Sequence, residues 1–253
     1  MTTTAPDTDL LDTETIADYR RDGFVRIKGV LTPEEVERFR DAAQQQYETG
    51  TALNRDDQIF KQVVNVWTTD ETLRDLTLHP KLARLATELA GLPVRIWHDH
   101  LLIKKPHNQA PTEFHQDAPY WPHANCRHSL SAWVALVDVP VERGCMTFIP
   151  EQHERRDIRP IDLTDAHDLF EAAPDLTWHR RVTIPLQAGD VTFHNGYTPH
   201  TANSNDTDEF RYAHVNIYAD RELTYDGKPH VCTDPLNLTV GQRLPDDHFP
   251  PVG

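Results

Sequence analysis

The chain has 253 residues, enough for a substantial buried core, and its 40 acidic against 25 basic residues give a formal charge of −15. That balance repels phosphate backbones, so nucleic acid is excluded as an expected partner. No apolar run approaches the roughly 20 residues that span a bilayer. Cys126, Cys145 and Cys232 are too scattered for a disulfide framework or a CxxC metal pattern.

The first dozen residues are acidic and Thr-rich, with neither the basic nor the apolar stretch of a leader. They read as a disordered tail ahead of a single domain over 13–253, and a cytoplasmic location is the expectation. Thr13 is expected to cap a short helix that stops at Gly23, after which GFVRIKGV alternates like a strand. TPEE at Thr32 to Glu35 is a strong start signal: Thr32 caps, Pro33 takes the first helical position and Glu35 completes a capping box. Val36, Phe39 and Ala43 follow at helical spacing, and Gly50 ends the run. A second helical stretch runs through TDETLRDLTLHPKLARLATELAG, restarting at Pro80 and closing at Gly91.

From Val94 onward the period changes to two. VRIWHDHLLIKK, SAWVALVDV, CMTFIP, RVTIPL, DVTFH and RYAHVNIYA read as strands separated by Pro, Gly and Asn-rich turns. Helices first and many strands afterwards imply a mainly β fold, a helical layer packed on an antiparallel barrel or double sheet. The final PDDHFPPVG reads as a covering tail.

Within this β region, EFHQDAPYWP sets His115 and Asp117 one residue apart at what reads as a strand end. Alternation would turn both to one face, a neutral nitrogen beside a carboxylate oxygen. A metal would need a third ligand from a distant strand, and His200 in DVTFHNGYTPHTA is the candidate. In the strand RYAHVNIYA, Arg211 shares a face with the apolar Ala213, Val215 and Ile217. A core-facing arginine is costly unless a carboxylate meets it, and no acid of the chain is an obvious mate. An acidic small molecule is a reasonable partner, because guanidinium geometry suits bidentate carboxylate contact. Two histidines and one carboxylate with open positions beside them form the facial triad of non-haem iron oxygenases.

The ordered set His115-x-Asp117, His200 and Arg211 resembles the phytanoyl-CoA dioxygenase family of iron(II)/2-oxoglutarate enzymes. RGCMTFIPEQH and LQAGDVTFHNGYTPH are similar to two further segments of that family, and the likeness covers Gly23 to the C-terminus. It implies a double-stranded β-helix, a cupin-type jelly roll. It also implies iron(II) on His115, Asp117 and His200, with 2-oxoglutarate as cosubstrate gripped by Arg211, and O2 as oxidant. Trp133, Trp97 and Lys61 match cosubstrate-contacting positions. The chain departs from the family at Ala202, where a hydroxyl residue is usual, and at Gln152 in the PEQH turn; Thr198, Thr201 or Ser204 are the expected compensation. Hydroxylation is the implied outcome, with desaturation, epimerisation or ring closure as alternatives.

Gln116, Tyr120, Trp121 and Phe148 lie near the metal residues in sequence and are expected to line a pocket for a small or medium organic molecule. A coenzyme A thioester is disfavoured, since no phosphate-binding motif is concentrated anywhere. The pair His98 and His100 could instead belong to a zinc hydrolase, but that reading wants a (β/α)8 barrel; they are expected as sheet residues near the cosubstrate. A non-catalytic cupin is a further rival, with no reason to keep Arg211 inward. The basic clusters at Arg155, Arg156 and Arg159 and at His179 to Arg181 read as solvated loop charge, and the remaining histidines, His153, His194 and His214 among them, as ordinary surface or hydrogen-bonded residues. Oligomeric state is not legible.

Overall fold

The computed structural model describes residues 10–52, 60–108 and 110–253. Among the described residues there are five α-helices, α1 (Thr13–Asp22), α2 (Pro33–Thr49), α3 (Glu71–Thr77), α4 (Pro80–Ala90) and α5 (Asp168–Ala172). The strands are β1 (Phe24–Ile27), β2 (Lys61–Val64), β3 (Val94–Lys104), β4 (Thr112–His115), β5 (His123–Ala124), β6 (Ser129–Ala135) and β7 (Met146–Phe148). They continue with β8 (Val182–Ile184), β9 (Val191–Asn195), β10 (His200–Ala202), β11 (Arg211–Asp220), β12 (Thr224–Tyr225) and β13 (Pro251–Val252).

The larger antiparallel sheet runs β1-β9-β6-β11-β3-β13, with β2 also paired to β3, and the smaller runs β4-β10-β7-β8. The two sheets form a jelly roll, so the (β/α)8 barrel required by a zinc hydrolase is not the fold. Alternation sorts the larger sheet into two faces. Leu101 and Ile103 of β3, Val134 of β6, Phe193 of β9 and Tyr212 of β11 pack against Phe39 of α2, Leu76 of α3 and Leu85 of α4. Trp133, Ala213, Val215 and Ile217 face the opposite way, toward Met146 and Phe148 of the smaller sheet. Helices therefore brace one face and leave the other for a cavity.

Local chemistry places the helices. Thr32 and Glu35 form the expected capping box, and Gly23 and Gly91 close α1 and α4 in the left-handed conformation. The cap of α1 is Asp12 and not Thr13: its side chain accepts from Thr15 N at 2.7 Å. The expected tail lies outside the described residues as far as residue 9. Its last part is not tail-like, since the amides of Leu10 and Leu11 donate to the Glu88 carboxylate.

Two buried polar anchors tie the layers together. Asp99, pointing to the helix face of β3, accepts from Trp67 N (3.1 Å), the Thr77 hydroxyl (2.7 Å) and His214 Nε2 (3.2 Å). Arg95 donates to Arg221 O, Leu244 O and Asp246 Oδ1, pinning the C-terminal segment. Phe249 then stacks on Trp97 with centroids 5.1 Å apart, and β13 pairs with the start of β3.

The basic clusters are engaged within the chain. Arg155 pairs with Asp157 and Asp175, Arg159 with Asp168, and Arg180 with Asp22 and Glu151, while Arg181 lies over Phe114 and Phe170. No described helix is long and apolar enough to cross a membrane.

Candidate iron and 2-oxoglutarate site

His115 ends β4 and His200 begins β10, and the two are directly paired in register. Asp117 does not reach them by strand alternation, as the sequence pattern implied. It lies beyond β4 in a helical conformation (φ −77°, ψ −46°), and this turn swings its carboxylate back. His115 Nε2 stands 3.3 Å and His200 Nε2 3.8 Å from Asp117 Oδ1. Each imidazole is held from behind, His115 Nδ1 on Glu113 O at 2.7 Å and His200 Nδ1 on Thr198 O at 2.9 Å. A carbonyl can only accept, so Nδ1 carries the proton in both rings and the Nε2 lone pairs face Asp117. This is the arrangement by which outer hydrogen bonds fix a ligating tautomer.

The ligand atoms of His115, Asp117 and His200 lie within 4.8 Å of one another. Burial pulls the His200 imidazole well below its ordinary pKa, which keeps it neutral and ready to ligate. Two neutral imidazoles and one carboxylate fit a divalent iron with open positions.

His194, expected as an ordinary histidine, belongs to this site. Val191 and Phe193 of β9 face the helices, so Thr192 and His194 point the other way, and His194 lines the cavity. His194 Nε2 lies 3.4 Å from Asp117 Oδ2, which also accepts from the Ser131 hydroxyl at 3.1 Å. One carboxylate oxygen is thus restrained while the other is left for a metal. The alternation of DVTFH carried this signal.

A cavity of about 310 Å³ opens over the three residues. Arg211 lines it at 1% exposure, with its guanidinium 5.3 Å from the Trp133 ring. Nη1 donates to Leu102 O at 3.1 Å, Nε has no partner, and no carboxylate pairs with the side chain among the described residues. Burial lowers its pKa to about 9. A buried guanidinium that meets no carboxylate among the described residues has the geometry to take one from a ligand.

Tyr120, Trp121 and Trp133 line the cavity, and so do His98 and His100. Four expected contacts lie elsewhere. The Lys61 ammonium donates to Tyr47 O at 2.6 Å, and its neighbour Gln62 faces the cavity instead, with Nε2 3.0 Å from His100 Nδ1. Trp97 sits at a bulge where the β3–β11 register shifts, and is buried among Phe249, His123 and His230. Gln116 donates to Arg155 O and Tyr197 O, a structural clasp. Phe148 packs behind the metal residues, stacked on Phe24 at 4.4 Å.

The expected compensation for Ala202 also shifts. The Thr198 and Thr201 hydroxyls donate to Gly23 O and Thr112 O, and Ser204 is not among the cavity residues. Thr112, directly paired with Ala202 across β4 and β10, lines the cavity and was missed.

The profile of the phytanoyl-CoA dioxygenase (PhyH) family matches residues 19–213. The chain belongs to the phytanoyl-CoA dioxygenase family. A curated family relative, mouse phytanoyl-CoA dioxygenase domain-containing protein 1, is 28% identical over 58% of this chain and 52% of its own length, so the chain spans about half of that relative. Among solved structures, the non-haem α-ketoglutarate-dependent carbocyclase SnoK of nogalamycin biosynthesis is 36% identical, with a TM-score of 0.87 over 99% of this chain and 100% of its own. The epimerase SnoN, solved with Fe3+, α-ketoglutarate and nogalamycin RO, is also 36% identical, with a TM-score of 0.83 over 94% and 97% of the two chains. Both neighbours share the fold and are described as non-haem α-ketoglutarate-dependent enzymes, SnoN being solved with Fe3+ and α-ketoglutarate bound.

Proposed function

We propose that the chain is an iron(II)/2-oxoglutarate-dependent dioxygenase that oxidises a small or medium organic molecule while 2-oxoglutarate is converted to succinate and CO2. The observation that carries this reading is the convergence of His115, Asp117 and His200 in one cavity with the carboxylate-free Arg211. Iron, 2-oxoglutarate and O2 together supply an oxidant able to remove hydrogen from an unactivated C–H bond. The chain aims it. His115, Asp117 and His200 hold the metal, and His194 and Ser131 keep Asp117 turned so that one oxygen faces it. Arg211 takes the distal carboxylate of 2-oxoglutarate over the Trp133 ring, and Thr112 supplies the hydroxyl that position 202 lacks.

The substrate is an uncharged molecule. Apart from Arg211, the described residues of the cavity wall include no lysine or arginine, and Tyr120, Trp121 and Val231 give it an apolar lining. A coenzyme A thioester, with its phosphates, finds no further cationic anchor among those described residues. Hydroxylation is the default outcome, and the SnoK and SnoN likenesses favour ring closure and epimerisation as alternatives. The three free cysteines fit a cytoplasmic setting.

The test is succinate release with iron(II), 2-oxoglutarate and O2 against two panels, neutral polycyclic compounds and acyl-CoA thioesters. Stimulation by a neutral compound supports the reading. Stimulation by thioesters alone contradicts the substrate class, and hydrolysis without 2-oxoglutarate use contradicts the reaction.

A further inference from the structure

A second group of metal-ligating side chains lies on the wall of the same cavity and is not used by the proposed iron site. His98 of β3 and His230 and Cys232, beyond β12, each offer one ligand atom, all within 4.8 Å of one another. His98 and His230 line the cavity together with His115, Asp117 and His200. We propose that His98, His230 and Cys232 form a second metal site, for a zinc-like divalent cation, whose fourth position opens on the cavity.

The donor set selects the ion. Two imidazoles and a sulfur suit a borderline-soft cation and not magnesium or calcium. Three protein ligands leave one place of a tetrahedron vacant, as in zinc sites that bind water or substrate.

The surroundings prepare each donor. His98 Nδ1 faces Asp99 O at 3.3 Å, which leaves Nε2 as the free nitrogen. The rings of His98 and His230 have centroids 5.5 Å apart. Burial pulls both imidazoles down, His230 to about 4, so both are neutral. Cys232 is a free, buried cysteine whose sulfur accepts from Asn65 Nδ2 at 3.4 Å. That amide cannot turn over freely, because Asn65 Oδ1 accepts from Trp67 Nε1 at 3.3 Å. Asn65 also occupies the left-handed region at φ 56°, which L side chains seldom enter. A donor locked onto sulfur favours thiolate over thiol.

The segment from His230 to Asp234 is a tight turn, with the amides of Thr233 and Asp234 both donating to His230 O at 2.9 Å. It fixes the spacing of His230 and Cys232. The Cys232 amide donates to His230 Nδ1 at 3.2 Å, tying the two side-chain positions together.

Anaerobic Co(II) titration of the reduced full chain tests the proposal, with Zn(II) as competitor. Wild type takes two equivalents and develops a near-ultraviolet thiolate-to-cobalt band that Zn(II) abolishes. His200→Ala keeps the band and one equivalent, which separates this site from the iron site. Cys232→Ser loses the band and keeps one equivalent. His98→Gln retains the sulfur but binds cobalt there at least about tenfold more weakly, the lower end of what even outer-shell losses cost. Saturation of wild type at one equivalent without a thiolate band, or a band that survives Cys232→Ser, overturns the second site and leaves the iron reading untouched.

Discussion

Replacing Arg211 by methionine separates the cost of a buried charge from its use. The guanidinium is 1% exposed, keeps one hydrogen bond to Leu102 O, leaves Nε unpartnered and meets no carboxylate among the described residues. Without cosubstrate it is therefore a burden on the fold, and exchange of buried charge for a side chain of similar volume is commonly neutral or stabilising by about 1–4 kcal/mol. The apo variant should melt at or above the wild-type temperature. With 2-oxoglutarate at a hundred times its Kd, wild type gains about 2.7 kcal/mol. For a domain of this size that is a rise of roughly 5–11 °C. Arg211→Met should show almost none of it, because breaking one side of a buried charged pair costs about 2–5 kcal/mol, or roughly 30- to several-thousand-fold in affinity. Differential scanning with and without 2-oxoglutarate, iron present throughout, reads both effects. A variant that melts well below wild type yet keeps the full ligand-induced rise would refute the assignment and make Arg211 a structural residue.

Thr112→Val should raise the 2-oxoglutarate requirement by about 10- to 150-fold if its hydroxyl reaches a charged oxygen, measured by titration; an unchanged affinity removes Thr112 from the cradle. Asp117→Ala should lose most turnover without a clean switch to chlorination, since two imidazoles alone hold iron(II) weakly; product mass spectrometry with and without chloride checks this, and undiminished oxidation by the variant contradicts Asp117 as a ligand. Asp99→Ala, which strands Trp67 N, the Thr77 hydroxyl and His214, should cost about 3 kcal/mol or more in urea unfolding; a loss below ~1 kcal/mol shows that water takes over those contacts.

The features legible in the sequence are those carried by local chemistry. Thr32 to Glu35 announce α2, and period-two alternation places Arg211 on the face of Ala213, Val215 and Ile217. The features that eluded reading depend on geometry that neighbouring residues do not encode. Lys61 and Gln62 are both polar on a four-residue strand, so nothing local says which faces the cavity. Trp97 loses its expected place to a bulge visible only in the β3–β11 register. Thr112 matters because it pairs with Ala202, and pairing between distant strands is a property of the sheet. Asp117 reaches His115 and His200 through a helical turn, so the convergence of the HxD pair does not come from the strand alternation that suggested it.

The most direct test of the account is anaerobic titration of the purified chain with iron(II) and 2-oxoglutarate, followed by visible absorption and then by admission of O2. Wild type should develop a weak metal-to-ligand charge-transfer band at one iron per triad, and the band should decay with succinate formation when O2 enters. His200→Ala should show neither. No band in wild type, or an equal band in His200→Ala, would contradict the assignment of His115, Asp117 and His200 as the seat of the chemistry.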